Sequence, residues 1–154
     1  MQVFTLFEKP VTYTVVVCLA GCLYLYLFIT LLFSPAQFLA SVGVAGNEAA
    51  YFLARRASVL MLGFSVLSFQ AARLRCLVTR QVIAIGIAVN MAGFSVLGCM
   101  EYRRGFANAS ILHAAVIETS LATLCFLLWL GGRRALKQQQ NAENRVLLAK
   151  AHSR

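Results

Sequence analysis

The sequence contains no aspartate and only five glutamates, and charged residues make up 12% of its 154 residues. A soluble domain usually has about 25% charged residues. This deficit excludes an ordinary water-facing surface. The same scarcity limits enzyme chemistry, because a Ser-His-Asp triad cannot form without aspartate. The chain also has no Gly-rich phosphate-binding loop and no motif that would expose a nucleophile beside a His-Glu pair. We therefore expect a protein that is not an enzyme.

Ligands for metals and haem are also few. The five cysteines form no CxxC motif, and four of them lie in apolar runs, where small buried hydrophobic side chains are expected. A b-type haem needs two axial ligands within the membrane, whereas His113 is the single histidine in an apolar run and His152 lies in the tail. His113 and Glu118 are five residues apart and point to different faces of a helix. The sequence predicts no metal site and no cofactor.

Long apolar runs dominate the rest of the chain, which is 60% hydrophobic. Each run approaches the roughly 20 residues that a helix needs to cross a bilayer, and none shows the alternation of a barrel strand. We predict an all-α, polytopic membrane protein with a four-helix transmembrane domain at residues 1–132. Its spans are at about 11–33, 51–71, 78–100 and 111–130. Residues 133–154 are predicted to form a basic tail that extends the last helix into water.

The basic residues are distributed unevenly, and this predicts orientation. With the N-terminus inside, Lys9, three arginines of the middle link and six basic residues of the tail lie in the cytoplasm, against four on the other side. We predict a multi-pass protein of the inner (plasma) membrane with both termini cytoplasmic. No basic stripe interleaved with solvent-facing aromatic residues occurs, so we expect membrane lipids as partners and no nucleic acid. A homo-oligomer and a larger membrane complex both remain open.

Polar residues inside the spans are the candidate site, since an ionisable group in hydrocarbon costs about 2.5–3.5 kcal/mol on insertion scales. Arg55, Arg56, His113 and Glu118 are predicted at similar depths in the outer half of the bundle, and Asn90 is predicted near the middle of the third span. Three interpretations remain open. Arg55 or Arg56 pairs with Glu118 as a structural ion pair; the cluster lines a pocket for an amphiphile; or Glu118 binds a proton or a cation in a small exporter.

Two further expectations concern the outer half. Glu101, Arg103 and Arg104 follow the third span and are predicted to form the outer rim. The first span is the most apolar and carries aromatic residues such as Tyr24 and Tyr26 toward its outer half, which is typical of an interfacial belt on a lipid-facing helix.

Three stretches of the chain carry a family resemblance. They are the segment from Ser34 to Gly43 after the first span, the Leu53-Ala54-Arg55-Arg56 sequence that leads to Leu62-Gly63-Phe64, and Glu118 in the last span. With the four spans, they resemble small bacterial four-helix integral membrane proteins of DoxX-like architecture. In that group the arginine is closely followed by glycine, whereas here Ala57 and Ser58 follow it. The resemblance implies the fold and leaves the function open.

Taken together, these features predict a small, non-enzymatic membrane protein. It is either an accessory subunit or a binder of an amphiphilic ligand, a lipid or a quinone, at the outer polar cluster. The alternatives are a small proton-coupled transporter that uses Glu118, and a quinone-linked redox component of the membrane.

Overall fold

The structure, a computed structural model, describes residues 10–152 and is all-helical over that range. Its five helices are α1 (Pro10–Phe33), α2 (Pro35–Ser41), α3 (Glu48–Ala71), α4 (Leu77–Arg103) and α5 (Ser110–His152). Four segments are long and apolar enough to cross a membrane: Val11–Phe33, Glu48–Ala71, Leu77–Arg103 and Ser110–Ala142. The all-α class is therefore confirmed, as are four helices long and apolar enough to span a membrane. Lys9 and Arg154, which we counted for orientation, lie outside the described residues.

Local sequence explains where these helices begin and end. Pro35 opens α2 in its first turn, where a missing N–H has no helical partner to lose. Asn47 caps α3, because its Oδ1 accepts a hydrogen bond from the Ala50 amide at 2.8 Å. The cap starts α3 at Glu48, three residues before the predicted 51. The tail predicted at residues 133–154 continues α5 as helix to His152.

The bundle consists of two antiparallel hairpins, one formed by α1 and α3 and the other by α4 and α5, with α1 also packing against α5. Val17, Ala20 and Tyr24 of α1 are completely buried. One face of α1 is thus buried against the bundle, whereas Val15, Leu19 and Ile29 on its other face are exposed. Small side chains let α3 approach α1 closely, since a Cβ atom at Gly21 would lie 3.1 Å from the Phe69 ring and the Ser65 hydroxyl donates to the Gly21 carbonyl at 3.0 Å.

Hydrogen bonds also cross between helices within the bundle. The Asn90 amide of α4 donates to the Tyr24 hydroxyl of α1 at 2.8 Å and thereby links the two hairpins. Within the second hairpin, Ser95 donates to the Ala115 carbonyl at 3.1 Å and its hydroxyl lies 2.7 Å from that of Thr119. Each bond satisfies polar groups that a hydrocarbon environment would leave without partners.

Two ends of the bundle can be distinguished. The α2 end contains α2, the 42–47 link and the 104–109 link between α4 and α5. The basic end contains the start of α1, the 72–76 link and the part of α5 that follows Gly132. At the basic end the Arg80 guanidinium lies over the Tyr13 ring, 4.0 Å from its centre.

Candidate functional site

The structure does not bring Arg55 or Arg56 together with Glu118. Both arginines are exposed on α3, and the Arg56 guanidinium lies over the Phe52 ring at 5.7 Å. Within residues 10–152, neither arginine forms an ion pair with Glu118. The reason is the helix arrangement: α3 packs chiefly on α1, and α1 packs in turn on α5. A whole helix therefore separates the arginines from the glutamate, although all three lie toward the same end of the bundle.

The other predicted residues have separate surroundings. Asn90 is bonded to Tyr24 inside the bundle and serves the packing of α4 on α1. His113 is exposed on α5. At the rim of the α2 end, Glu101 and Arg104 form an ion pair at 3.2 Å, and Arg103 is exposed. No three His, Cys or Glu side chains converge in the part of the chain that the structure describes.

Glu118 lines a cavity of about 350 Å³ between α1, α2 and α5 at the α2 end. The carboxyl side chain is half-buried, and of the described lining residues it alone is charged. Hydroxyl groups of two serines and one tyrosine supply the remaining side-chain polarity. The lining residues are Leu23, Tyr26, Leu27, Phe38, Ser41, Val42, Ser110, Ile111, Ala114, Ile117 and Glu118.

The short helix α2 forms one wall of this cavity and is held in place by the α4–α5 link. The Asn108 backbone N–H donates to the Val42 carbonyl at 2.8 Å, and the Asn108 side-chain amide donates to the Ser41 carbonyl at 3.1 Å. Gly43 allows this contact, since its φ of +80° is in the left-handed region and a Cβ atom there would lie 2.8 Å from the Asn108 Cβ. We name these four residues, Ser41, Val42, Gly43 and Asn108, the α2 latch.

The sequence prediction missed both the α2 wall and the latch. It placed the partners of Glu118 on α3, whereas the structure places them on α1 and α2. Two signals were present in the sequence: Pro35 at the start of a short apolar segment, and Gly43 just after it. Neither signal shows which helix the segment packs against, because that depends on the arrangement of the spans.

Other cavities contain no charged lining residue or are small. A groove of about 430 Å³ follows α4 and α5 and is lined by apolar side chains with Ser95, Thr119 and Thr123. Those hydroxyls already form hydrogen bonds within the hairpin. A cavity of about 40 Å³ at the basic end is bordered by Tyr13, Arg80 and Gln81. Among these cavities of the described residues, the Glu118 cavity combines a ligand-sized volume with a charged group.

Comparisons of the chain with protein-family models, with curated proteins and with solved structures find no match. The DoxX-like resemblance accordingly stays a prediction, and any conclusion about function must come from the geometry of the cavity.

Proposed function

We propose that this membrane protein is a non-enzymatic binder of an amphiphilic ligand, which occupies the Glu118 cavity. The observation that carries the proposal is the lining itself, in which a single carboxyl group lies among apolar side chains of three helices. Ligand sites are typically concave, mostly apolar and about 300–1,000 Å³ in volume, with a few polar groups that orient the ligand. The Glu118 cavity has each of these properties.

The position of the polar groups supports an amphiphile in particular. Ser41 and Ser110 belong to segments that end or begin at the α2 end, whereas Leu23 lies further along α1 toward the bundle centre. A ligand whose polar head reaches Glu118 and whose apolar body lies along α1 would match this lining, since Glu118 is eight residues, or about 12 Å, along α5 from Ser110. Its burial would remove apolar surface from water, which contributes roughly 25 cal/mol per Å².

Filling the cavity is expected to remove the ligand. Ala114 lines the cavity from α5, and Ala114→Trp would place an indole ring in the space. Ala92→Trp is the matched control, because Ala92 lines the separate groove along α4 and α5. We expect mass spectrometry of extracts from purified protein to find one amphiphile in the wild type and in Ala92→Trp. Its amount should fall about tenfold or more in Ala114→Trp, the change that 1.4 kcal/mol of lost binding energy produces.

A different result of the same measurement would contradict the proposal. If wild type and both variants retained the same bulk lipids in the same proportions, the cavity would hold no selected ligand and the proposal would fail. Thermal unfolding of all three proteins in the same detergent checks that the tryptophans leave the bundle folded.

We further propose that the basic end faces the cytoplasm, with both termini inside. Support comes from the charge distribution, since Arg73, Arg75, Arg80, Arg133 and Arg134 lie at that end. In a cysteine-free background, restoring Cys76 and introducing Ala45→Cys report the two ends separately. A membrane-impermeant maleimide added to intact cells is expected to label the Ala45→Cys protein and to leave the Cys76 protein unlabelled until lysis. The reverse pattern contradicts this orientation.

A further inference from the structure

We propose that the Glu118 cavity selects an organic monocation, with an ammonium head bonded to an apolar body. This inference rests on the proposed function and adds the charge of the ligand. It is carried by the placement of charged groups around the cavity, which leaves one carboxyl group at the cavity wall without a basic partner among residues 10–152.

The helices that form the cavity supply no cation next to Glu118. Residues 10–41, which contain α1 and α2, include no lysine, arginine or histidine. On α5, His113 is exposed and five residues from Glu118, so it projects about 140° away around the helix. The next basic residue of α5 is Arg133, fifteen residues away, or about 22 Å along the helix.

Of the other basic side chains at the α2 end, Arg104 and Arg56 make contacts away from the cavity, and Arg55 and Arg103 are exposed. Arg104 is paired with Glu101, and Arg56 lies over the ring of Phe52. Arg55 is exposed on α3, across α1 from the cavity. Since a charge in a low-dielectric site is costly unless paired, a ligand that brings its own positive charge would lower the free energy of the site. An anionic ligand would meet a like charge, and beside a neutral ligand the carboxyl group would take up a proton instead of holding a charge.

Polar and aromatic groups of the lining also suit a cationic ligand. The hydroxyl oxygens of Ser41 and Ser110 can accept hydrogen bonds at the α2 end of the cavity, and Ser110 lies about 12 Å along α5 from Glu118. Tyr26 also lines the cavity, and an aromatic ring attracts a nearby cation through its quadrupole. The apolar walls of α1 and α5 leave space for a short alkyl or aryl body.

A matched set of three probes tests the charge preference. Phenethylammonium, phenylacetate and 2-phenylethanol present the same ring and similar spacers with positive, negative and neutral heads. We expect isothermal titration at pH 7, with protein in phosphatidylglycerol nanodiscs, to give about tenfold or tighter binding of the ammonium probe than of the alcohol. That ratio corresponds to one charge-assisted hydrogen bond. In Glu118→Gln the preference should disappear while binding of the alcohol persists.

The outcomes separate this inference from the proposed function. Equal affinity for the three probes in the wild type, abolished by Ala114→Trp, would overturn the cation preference and leave amphiphile binding intact. A preference that survives Glu118→Gln would also overturn it, because the charge would then be recognised elsewhere. Absence of all binding, together with no selected amphiphile in the extracts, would defeat the proposed function itself. Retained alcohol binding in Glu118→Gln shows that the variant is folded.

The ammonium group could come from a lipid headgroup or from a free organic amine, and a second arm of the experiment distinguishes these sources. Phosphatidylethanolamine is added to the phosphatidylglycerol nanodiscs, and the titration with phenethylammonium is repeated. Weaker apparent binding of the probe identifies the lipid headgroup as a competitor for the site. Unchanged binding identifies a free amine as the ligand. Both results require the preference to depend on Glu118.

Discussion

Replacement of Gly43 by alanine is expected to destabilise the protein by roughly 2–4 kcal/mol, the sum of backbone strain and one or two lost hydrogen bonds. Gly43 has a φ of +80°, and an added Cβ would lie 2.8 Å from the Asn108 Cβ and 2.9 Å from the Asn108 amide nitrogen. A backbone atom cannot move aside as the tip of a long side chain can. The α4–α5 link must therefore shift, and both hydrogen bonds of the α2 latch weaken.

Two other glycines provide controls that separate these causes. Gly105 has a φ of +77°, and an added Cβ there would have no atom within 4 Å, so Gly105→Ala should cost only the strain, about 1–2 kcal/mol. Gly63 lies within α3 with open space around it, and Gly63→Ala should be neutral or stabilising by about 0.5–1 kcal/mol. The excess cost of Gly43→Ala over Gly105→Ala then measures the contact with Asn108.

Reversible unfolding in mixed micelles gives the free energies, and hydrogen exchange locates the change. The Asn108 amide, which donates to the Val42 carbonyl, should lose protection in Gly43→Ala and keep it in Gly63→Ala. Because α2 forms a wall of the Glu118 cavity, Gly43→Ala should also weaken binding of the ammonium probe. If Gly43→Ala were no more costly than Gly105→Ala, the latch would contribute nothing beyond its backbone conformation.

The spans could be predicted from the sequence because their length and composition are direct consequences of bilayer thickness. The arrangement of those spans could not. Helices in a membrane face either lipid or one another, and both surroundings are apolar. High hydrophobicity therefore does not show which helix is central. The first span illustrates this: its composition is apolar on all sides, yet Val17 and Tyr24 are completely buried and Val15 and Leu19 are exposed.

The same limit explains the outcome for the candidate site. Sequence position fixes the depth of a residue in the membrane, and Arg55, Arg56 and Glu118 were grouped by depth alone. Which residues meet also depends on the order of the helices around the bundle axis. In that order α1 lies between the helix that carries the arginines and the helix that carries the glutamate. Glu118 was singled out because a carboxyl group in hydrocarbon is costly. Its neighbours on α1 and α2 are apolar residues together with one tyrosine and one serine, types that are common in any span, and nothing in their chemistry marks them in advance.

Replacement of Tyr24 by alanine is expected to cost about 3–5 kcal/mol, as for other large buried aromatic side chains. Tyr24 has no exposed surface, and its ring stacks on Phe64 of α3 with centres 5.4 Å apart. Its hydroxyl accepts the Asn90 amide of α4 at 2.8 Å. One side chain of α1 thus contacts both hairpins, and its removal leaves a cavity where the three helices meet.

Tyr26 is the matched control for this prediction, since it is the same residue type two positions further along α1 and is 58% exposed. Tyr26→Ala should change the free energy of unfolding by no more than about 0.5 kcal/mol. It should instead weaken ligand binding, because Tyr26 lines the Glu118 cavity. Equal destabilisation by the two substitutions would contradict the burial of Tyr24 between the two hairpins.

The hydrogen bond itself can be separated from the packing of the ring. Tyr24→Phe keeps the ring and removes the hydroxyl, and Asn90→Leu removes the donor. In a double-mutant cycle, these two changes should give a coupling energy of about 0.6 kcal/mol, with about 1.7 kcal/mol as the upper range for such bonds in membranes. Most of the cost of Tyr24→Ala would then come from packing. Because lipid and protein interior are equally apolar, close packing rather than exclusion of water must hold the two hairpins together. Tyr24 is the largest fully buried side chain of the described residues and contacts both hairpins.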